Sequence, residues 1–265
     1  MPAPEAERKT KMQQRLFQIT VIAVFFMLGT AFSRKPPVTL FTIGDSTMAS
    51  YSADRYPLTG WCQVLQPFFD EQRVRVKNRA ISGFSTKSFL DRGHWQAVLD
   101  SLMPGDYVFI QFGHNDQKIE RPDKYADADG RYRENLTRMV LEARDRKAIP
   151  VLMTPIARRR FGENGKLVDT HGRYPDVVRE VSDSLEVMLI DMNRLTTAFV
   201  NRLGEEASKE VYLWTPPEAK FPEGRMDNTH LSPRGAAAFA QLAVLELADR
   251  KSGLRKFVIR KKETK

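Results

Sequence analysis

Two stretches of this chain hold the residue types that acyl-transfer chemistry needs. Ser46, in Gly44-Asp45-Ser46, follows the β-rich run Val38–Ile43, which puts its hydroxyl at a strand end. A serine acts as a nucleophile when a base takes its proton, a further group orients that base, and hydrogen-bond donors receive the developing oxyanion. The candidate bases are His94, His114, His171 and His230. His230 closes the run Asp227-Asn228-Thr229-His230, just before a helix start. A carboxylate three residues upstream can fold back onto the imidazole, fix its tautomer and stabilise the imidazolium. Asp169-Thr170-His171 has a similar composition, but it reads as a polar loop with no strand or helix to hold it. Alone, Gly-Asp-Ser reads better as a turn capping a helix; the nucleophile is favoured by the Asp227–His230 pair together with Gly83 and Asn115 on the rim described below.

Short apolar runs alternate with longer segments of helical spacing. Strands are expected at Val38–Ile43, Val74–Val76, Asp106–Phe112, Pro150–Met153 and Val187–Ile190. Helices are expected at Trp61–Phe69, Ser88–Leu102, Tyr132–Ala148, Pro175–Leu185 and Pro233–Ala248, the last with Ser232 as N-cap and Pro233 in its first turn. Buried strands alternating with helices specify right-handed βαβ units and a parallel sheet of about five strands covered on both faces. In such sheets the site forms at the carboxyl ends of the strands. The first three strand ends are followed by Asp45-Ser46, by Asn78 and Gly83, and by Gly113-His114-Asn115-Asp116, so small and polar residues collect on one rim.

Taken in order, Gly44-Asp45-Ser46, Asn78-Arg79-Ala80-Ile81-Ser82-Gly83, Gly113-His114-Asn115-Asp116 and Asp227-Asn228-Thr229-His230 resemble the signature blocks of the GDSL or SGNH hydrolase superfamily, over Thr39 to Ala248. The resemblance implies a flavodoxin-like three-layer α/β/α sandwich. It also implies Ser46 as nucleophile, His230 as base and Asp227 as its orienter. The oxyanion hole would comprise the backbone amides of Ser46 and Gly83 with the side-chain amide of Asn115. A glycine lets backbone approach the anion closely, and an amide donates without adding charge.

Within the superfamily the chain is similar to the rhamnogalacturonan acetylesterase branch. The stretches that carry this are Gly44-Asp45-Ser46-Thr47-Met48, Gly60-Trp61, Ser85-Thr86-Lys87-Ser88-Phe89, Pro104 through Asp116, Thr154-Pro155 and Arg158-Arg159-Arg160-Phe161. That branch implies an acetylesterase acting on an acetylated acidic, pectic polysaccharide or oligosaccharide. Cys62 stands where the pattern usually has a second glycine, which puts the packing near the first strand in question. Rival readings are a lipase, thioesterase or arylesterase of the same superfamily, and a glycan-binding module without catalysis. A preference for butyrate or longer esters would favour the former.

Arg158, Arg159 and Arg160 follow the fourth expected strand and are therefore candidates for binding substrate carboxylates, which arginine forks hold bidentately. His94-Trp95 offers a sugar-stacking surface, although Trp95 fits the apolar side of its helix. His114 reads as support for the loop that presents Asn115.

Composition excludes several classes. With 42% apolar and 28% charged residues the chain is globular, not disordered. Its single cysteine permits neither a disulfide framework nor a cysteine zinc site, and the expected mechanism needs no metal or cofactor. Gly44 and Gly83 lack the spacing of a nucleotide-binding loop. The net charge of +9 is weighted to the basic tail 251–265, which reads as a solvated terminus; no nucleic-acid motif accompanies it. At the other end, Arg8, Lys9, Lys11 and Arg15 precede an apolar run over 16–32 closed by Ala31-Phe32-Ser33. That is signal-peptide grammar. An uncleaved anchor is the rival reading, since about 17 apolar residues is the lower limit for spanning. Both readings export the domain, 34–250, to the periplasm or medium, with membrane contact only if 1–33 is retained. Met12 is an alternative start to Met1.

Overall fold

In a computed structural model, residues 36–217, 221–250 and 252–259 are described, with Pro4, Lys9 and Met12 before them. The segment 1–33, read above as a signal or anchor, lies outside the described residues apart from those three. Among the described residues no helix is long and apolar enough to cross a membrane. The compact unit beginning at Pro37 carries the features that follow.

Its centre is a five-stranded sheet of β1 (Val38–Gly44), β2 (Val74–Asn78), β3 (Tyr107–Gln111), β4 (Ile149–Met153) and β5 (Met188–Ile190), in the order β2-β1-β3-β4-β5. Each neighbouring pair is parallel. Successive residues of a strand point to opposite faces, so a sheet covered on both sides needs apolar residues at every position. The inner strands largely follow this rule, with buried Thr42 and Gln111 as exceptions that donate to Asn78 and Thr47. Leu40, Phe109, Val151 and Met153 join one core, while Phe41, Ile43, Val108, Ile110 and Leu152 join the other.

The second core is closed by α1 (Thr86–Asp91), α2 (His94–Leu99), α3 (Arg133–Asp145) and α4 (Tyr174–Ser184). The first is closed by α5 (Met192–Ser208), α6 (Pro233–Asp249) and the turns after Gly60. The result is the three-layer α/β/α sandwich that the sequence resemblance implies. The chain moves from β1 outward to β2 and then returns past β1 to β3, so the strand order reverses at β1. A crevice opens at such a reversal, at the carboxyl ends of the strands. Ser46 lies directly beyond the reversing strand.

Several expected elements differ in detail. Trp61–Phe69 forms two 3-10 turns, Trp61–Val64 and Gln66–Phe68, because Pro67 lacks the N–H that a continuous helix would use. The expected helix Ser88–Leu102 is two helices broken at Gly93, whose φ of 73° suits glycine. α1 starts with a reciprocal cap in which Ser85 Oγ accepts from the Ser88 amide and Ser88 Oγ from the Ser85 amide. α5 and the two-stranded antiparallel sheet β6 (Tyr212–Thr215) and β7 (Arg225–Leu231) were not expected from periodicity. The basic tail is not wholly solvated either. Leu254 is fully buried, Val258 pairs with Phe69, and the Ile259 amide donates to the Phe68 carbonyl.

Cys62 fills its site without disruption. It is buried beside Trp61 and Leu65, and burial pushes its thiol well up, so it stays protonated and inert. Gly60 has no such freedom. A Cβ there would lie 2.1 Å from the Ala49 carbonyl oxygen and 2.6 Å from the Met48 carbonyl carbon, in the segment that follows Ser46. Because backbone must move to admit it, Gly60→Ala is expected to cost about 3 kcal/mol and lower the melting temperature by roughly 10 °C. Thermal denaturation followed by circular dichroism checks this; an unchanged melting temperature would show that the loop yields freely.

Candidate active site

The turn that carries Ser46 is held from every side. Gly44 closes β1, where a Cβ would meet the Gln111 carbonyl oxygen of β3 at 2.5 Å. Asp45 is fully buried and its Oδ1 accepts from the Thr47 amide at 2.9 Å and the Thr47 hydroxyl at 2.8 Å, which bends the chain. Gln111 Nε2 donates to Thr47 Oγ1 at 2.9 Å, and Tyr51 Oη donates to the Ser46 carbonyl at 2.7 Å. Asn78 at the end of β2 donates to the Met48 carbonyl and accepts from Thr42 Oγ1. Residues 42 to 51 are thereby tied to both strands that flank β1.

Asp227 and His230 reach Ser46 from β7, an element that sequence reading took for the approach to a helix. On a regular strand, residues three apart face opposite sides of the sheet. Here the pairing with β6 jumps from Leu213↔Asp227 to Tyr212↔Leu231, so Asn228, Thr229 and His230 form an excursion from the ladder. Asp227 Oδ1 organises that excursion by accepting from the amides of Thr229 (2.8 Å) and His230 (2.9 Å). Its other oxygen accepts from His230 Nδ1 at 2.7 Å. Because a carboxylate only accepts, Nδ1 carries the proton and Nε2 presents a lone pair. That lone pair meets the Ser46 hydroxyl at 2.9 Å. Partial burial alone would raise the Asp227 pKa, but the hydrogen bonds from His230 and Thr229 outweigh it and hold the carboxyl well below its usual range.

Two further groups face the same space. Gly83 sits after β2 with φ of 81°, a conformation that strains any residue with a Cβ. Asn115 sits in the turn after β3, its amide fixed at both ends: Nδ2 donates to the Phe84 carbonyl at 2.9 Å, and Oδ1 accepts from Lys118 Nζ at 2.9 Å. One Nδ2 hydrogen remains to donate elsewhere. The turn is anchored by buried Asp116, which accepts from the Thr86 amide and hydroxyl and from the Gly113 amide. Ser46, Asp227, His230, Gly83, Asn115 and Lys118, together with Ser82, His114, Lys124, Arg158 and Thr229, line a cavity of about 320 Å³. The arrangement can polarise a hydroxyl and offer uncharged donors to a developing anion. Among the described residues no purely aliphatic side chain lines the cavity.

The arginine run is not the unit that its sequence suggests. Arg158 reaches the cavity, but it donates to the Thr170 and His114 carbonyls. Arg160 is exposed and outside the cavity lining. Arg159 is buried, and its Nε and Nη2 donate to Ser208 Oγ and the Glu205 carbonyl. Its Nη1 donates to Asn228 Oδ1 at 3.2 Å, its own amide donates to the Asn228 carbonyl at 2.8 Å, and its guanidinium lies 4.8 Å from the Trp214 ring centroid. Trp214 Nε1 donates to the same Asn228 oxygen at 2.9 Å. Arg159 therefore braces the excursion between Asp227 and His230. Its role was hidden because its partners lie 46 to 69 residues away in sequence.

Arg159→Met removes a buried guanidinium that donates to Asn228, Ser208 and Glu205, while Trp214 still donates to Asn228 and Ser208 to Glu205, so a stability loss of roughly 2 kcal/mol is expected. A lower kcat at nearly constant KM should accompany it. Arg159→Lys should not restore either, for lack of the planar fork. Denaturant melts with steady-state kinetics check both. Equal kinetics in all three proteins would remove the bracing role.

His171 is likewise no loose loop residue. It is buried, with Nε2 facing the Ile156 carbonyl at 2.9 Å and Nδ1 facing Gln117 Oε1 at 3.0 Å. Its ring stands edge-on to buried His114, with centroids 4.6 Å apart. Burial is the main cause that lowers both imidazoles, His171 to about 4. Trp95 is core, donating to Glu142 Oε2 at 2.6 Å, and His94 packs on Phe84 and Phe89.

Comparison with known proteins places the chain in a family. Residues 42–238 match the family model described as the GDSL-like lipase/acylhydrolase family. The chain is 39% identical over 210 residues to the rhamnogalacturonan acetylesterase RhgT of Bacillus subtilis, covering 78% of this chain and 88% of that protein. It is 27% identical over 224 residues to a rhamnogalacturonan acetylesterase of Emericella nidulans, covering 76% and 81%. Among solved structures, protein YxiM of Bacillus subtilis superposes with a TM-score of 0.72 at 26% identity, over 82% of this chain and 58% of that one. Axe2, an acetylxylan esterase from Geobacillus stearothermophilus, shares the fold with a TM-score of 0.59 at 22% identity, over 80% and 94%.

Proposed function

This chain belongs to the GDSL-like lipase/acylhydrolase family, and on that premise we propose that it is an exported acetylesterase that removes acetyl groups from a pectic polysaccharide. The observation that carries the mechanism is His230, which spans Ser46 Oγ at 2.9 Å and Asp227 Oδ2 at 2.7 Å.

Ser46 Oγ attacks the acetyl carbonyl carbon while His230 Nε2 takes its proton, and Asp227 balances the imidazolium. The carbonyl oxygen becomes an oxyanion that accepts from the amides of Ser46 and Gly83 and from Asn115 Nδ2. Collapse expels the sugar oxygen, which leaves with the proton held on His230, and Ser46 is left acetylated. Water, deprotonated by His230, then attacks the acetyl-serine; collapse expels Ser46 Oγ, which takes the proton back from His230, and acetate is released. Removing one oxyanion donor typically costs about 2.7–4 kcal/mol of transition-state stabilisation.

The acyl size follows from the cavity lining. Among the described residues no lining side chain is purely aliphatic, so a long acyl chain finds little apolar surface to bury against, with about 0.8 kcal/mol forgone per methylene left in water. The pectic substrate follows from the 39% identity to RhgT, which is named a rhamnogalacturonan acetylesterase. Export rests on the amino-terminal sequence, a basic segment followed by an apolar run over 16–32.

Acetate release from acetylated rhamnogalacturonan, acetylated xylan and chitin-derived oligosaccharides tests the substrate, with p-nitrophenyl acetate and butyrate testing the acyl group. The highest kcat/KM is expected on the pectic substrate, with acetate ahead of butyrate. A preference for butyrate, or for xylan over pectin, would overturn the assignment.

A further inference from the structure

The cavity at Ser46 is electrostatically lopsided. Among the described residues, Lys118, Lys124 and Arg158 line it against one carboxylate, Asp227, which is committed to His230 and the backbone. Among the described residues, none of the three cations forms an ion pair. Elsewhere in the domain Arg121 pairs with Asp123, Lys87 with Asp91, and Arg173 with Asp129. Unpaired cations at the mouth of a cavity create a positive potential where a ligand enters.

The three cations are not equivalent. The Arg158 guanidinium is occupied by the Thr170 and His114 carbonyls, and it contributes field more than contact. Lys118 Nζ spends one of its three hydrogens on Asn115 Oδ1 and keeps two. Lys124 Nζ lies 3.5 Å from the place a Cβ would occupy on Gly83, with no Cβ there to screen it. Partial burial first, then the charges of Arg121 and Lys118, lower the Lys124 pKa. An anion placed between the two lysines would relieve both penalties.

Their loop is held for this placement. The Lys118 amide donates to the Asn115 carbonyl, the Lys124 amide to the Arg121 carbonyl, and the Ala126 amide to the Asp116 carbonyl. Both lysines thus hang from the same turn that presents Asn115. Any group they hold lies close to the scissile ester.

We propose that Lys124, with Lys118, forms a subsite for a carboxylate of the substrate, borne by a uronic acid unit at or next to the acetylated sugar. This inference rests on the reading of the site as a glycan deacetylase and names what the site recognises in the glycan. It replaces the Arg158–Arg160 run as the carboxylate grip. An ammonium serves here as a compact charge and imposes no bidentate geometry, so the sugar can reorient as the ester is attacked.

The test compares one acetylated galacturonate oligosaccharide in two forms, with free carboxylates and with methyl-esterified carboxylates, using the full chain and its Lys124→Gln and Lys124→Glu variants. The wild-type chain should favour the free acid by about tenfold in kcat/KM, chiefly through KM. That preference should vanish in Lys124→Gln and reverse in Lys124→Glu. It should also weaken with added salt in the wild type, since the lysines are partly exposed.

Equal wild-type rates on the two forms would overturn the subsite. So would a Lys124→Gln variant slowed equally on both, because that pattern marks a contact to the reacting ester itself. If neither form releases acetate while p-nitrophenyl acetate is hydrolysed, the pectic reading falls and the subsite falls with it.

Discussion

Ser46→Ala is expected to lower kcat/KM for acetyl esters by about 10⁵- to 10⁶-fold, the loss typical when a serine nucleophile is removed from a triad that works as a unit. The folded state should barely register the change. The Ser46 side chain gives its hydroxyl to His230, while its place in the chain is fixed by backbone and neighbours: the Tyr51 hydroxyl on its carbonyl, Asp45 on Thr47, and Asn78 on Met48. The oxyanion donors also survive, so a small residual rate above that in water remains. Steady-state assays on p-nitrophenyl acetate, with a thermal melt of each protein, check both halves. A variant that releases acetate at the wild-type rate would end the nucleophile assignment.

Asp227→Asn is expected to lower kcat about 10⁴-fold. The reason lies in how many donors the carboxylate receives. Oδ1 accepts two backbone amides and Oδ2 accepts His230 Nδ1. An asparagine has one oxygen. If that oxygen faces the amides, its NH₂ faces Nδ1, and the imidazole must move its proton to Nε2, where it can no longer accept from Ser46. If the amide is turned over, its NH₂ opposes two backbone N–H groups and the excursion on β7 opens.

The same hydrogen bonds fix a pH dependence. The folded-state pKa of Asp227 lies below its unfolded value of about 3.9, so the folded state binds fewer protons there. The stabilisation is fully present above about pH 5 and is lost as the pH falls through the unfolded value toward the folded one. Asp227→Asn should therefore flatten part of the acid limb of the stability curve, measured by denaturant melts from pH 3 to 7.

Much of the site was legible in the sequence because its residues follow strand ends. Val38–Ile43 is β-rich, Val74–Val76 is a short strand and Asp106–Phe112 a nearly continuous apolar run, and the parallel-sheet rule then places Ser46, Gly83 and Asn115 on one rim. What stayed hidden depends on distant partners. Arg225–Leu231 has little of the apolar alternation that marks a strand; it pairs with β6 through backbone bonds, and its excursion is held by Arg159 and Trp214. Arg159 looked like one of three equal arginines because burial by α5 and β6 cannot be read from Arg158-Arg159-Arg160 itself. Lys118 and Lys124 drew no notice for a related reason: lysines in a polar stretch normally face solvent, and only the fold turns these toward Ser46. His171 shows the same effect inward, since its polar loop is closed over by Ile156 and Gln117.

The central claim is that Ser46 Oγ is the atom that takes up the acyl group. Treating the full chain with a p-nitrophenyl alkylphosphonate and mapping the adduct by peptide mass spectrometry tests it most directly. The phosphorus is attacked as the acyl carbon would be, but the adduct does not turn over. The expected result is one phosphonyl group per chain on the peptide containing Ser46, formed in step with loss of esterase activity and absent from His230→Ala. Activity lost with Ser46 unmodified, or a label on neighbouring Ser82 instead, would contradict the account.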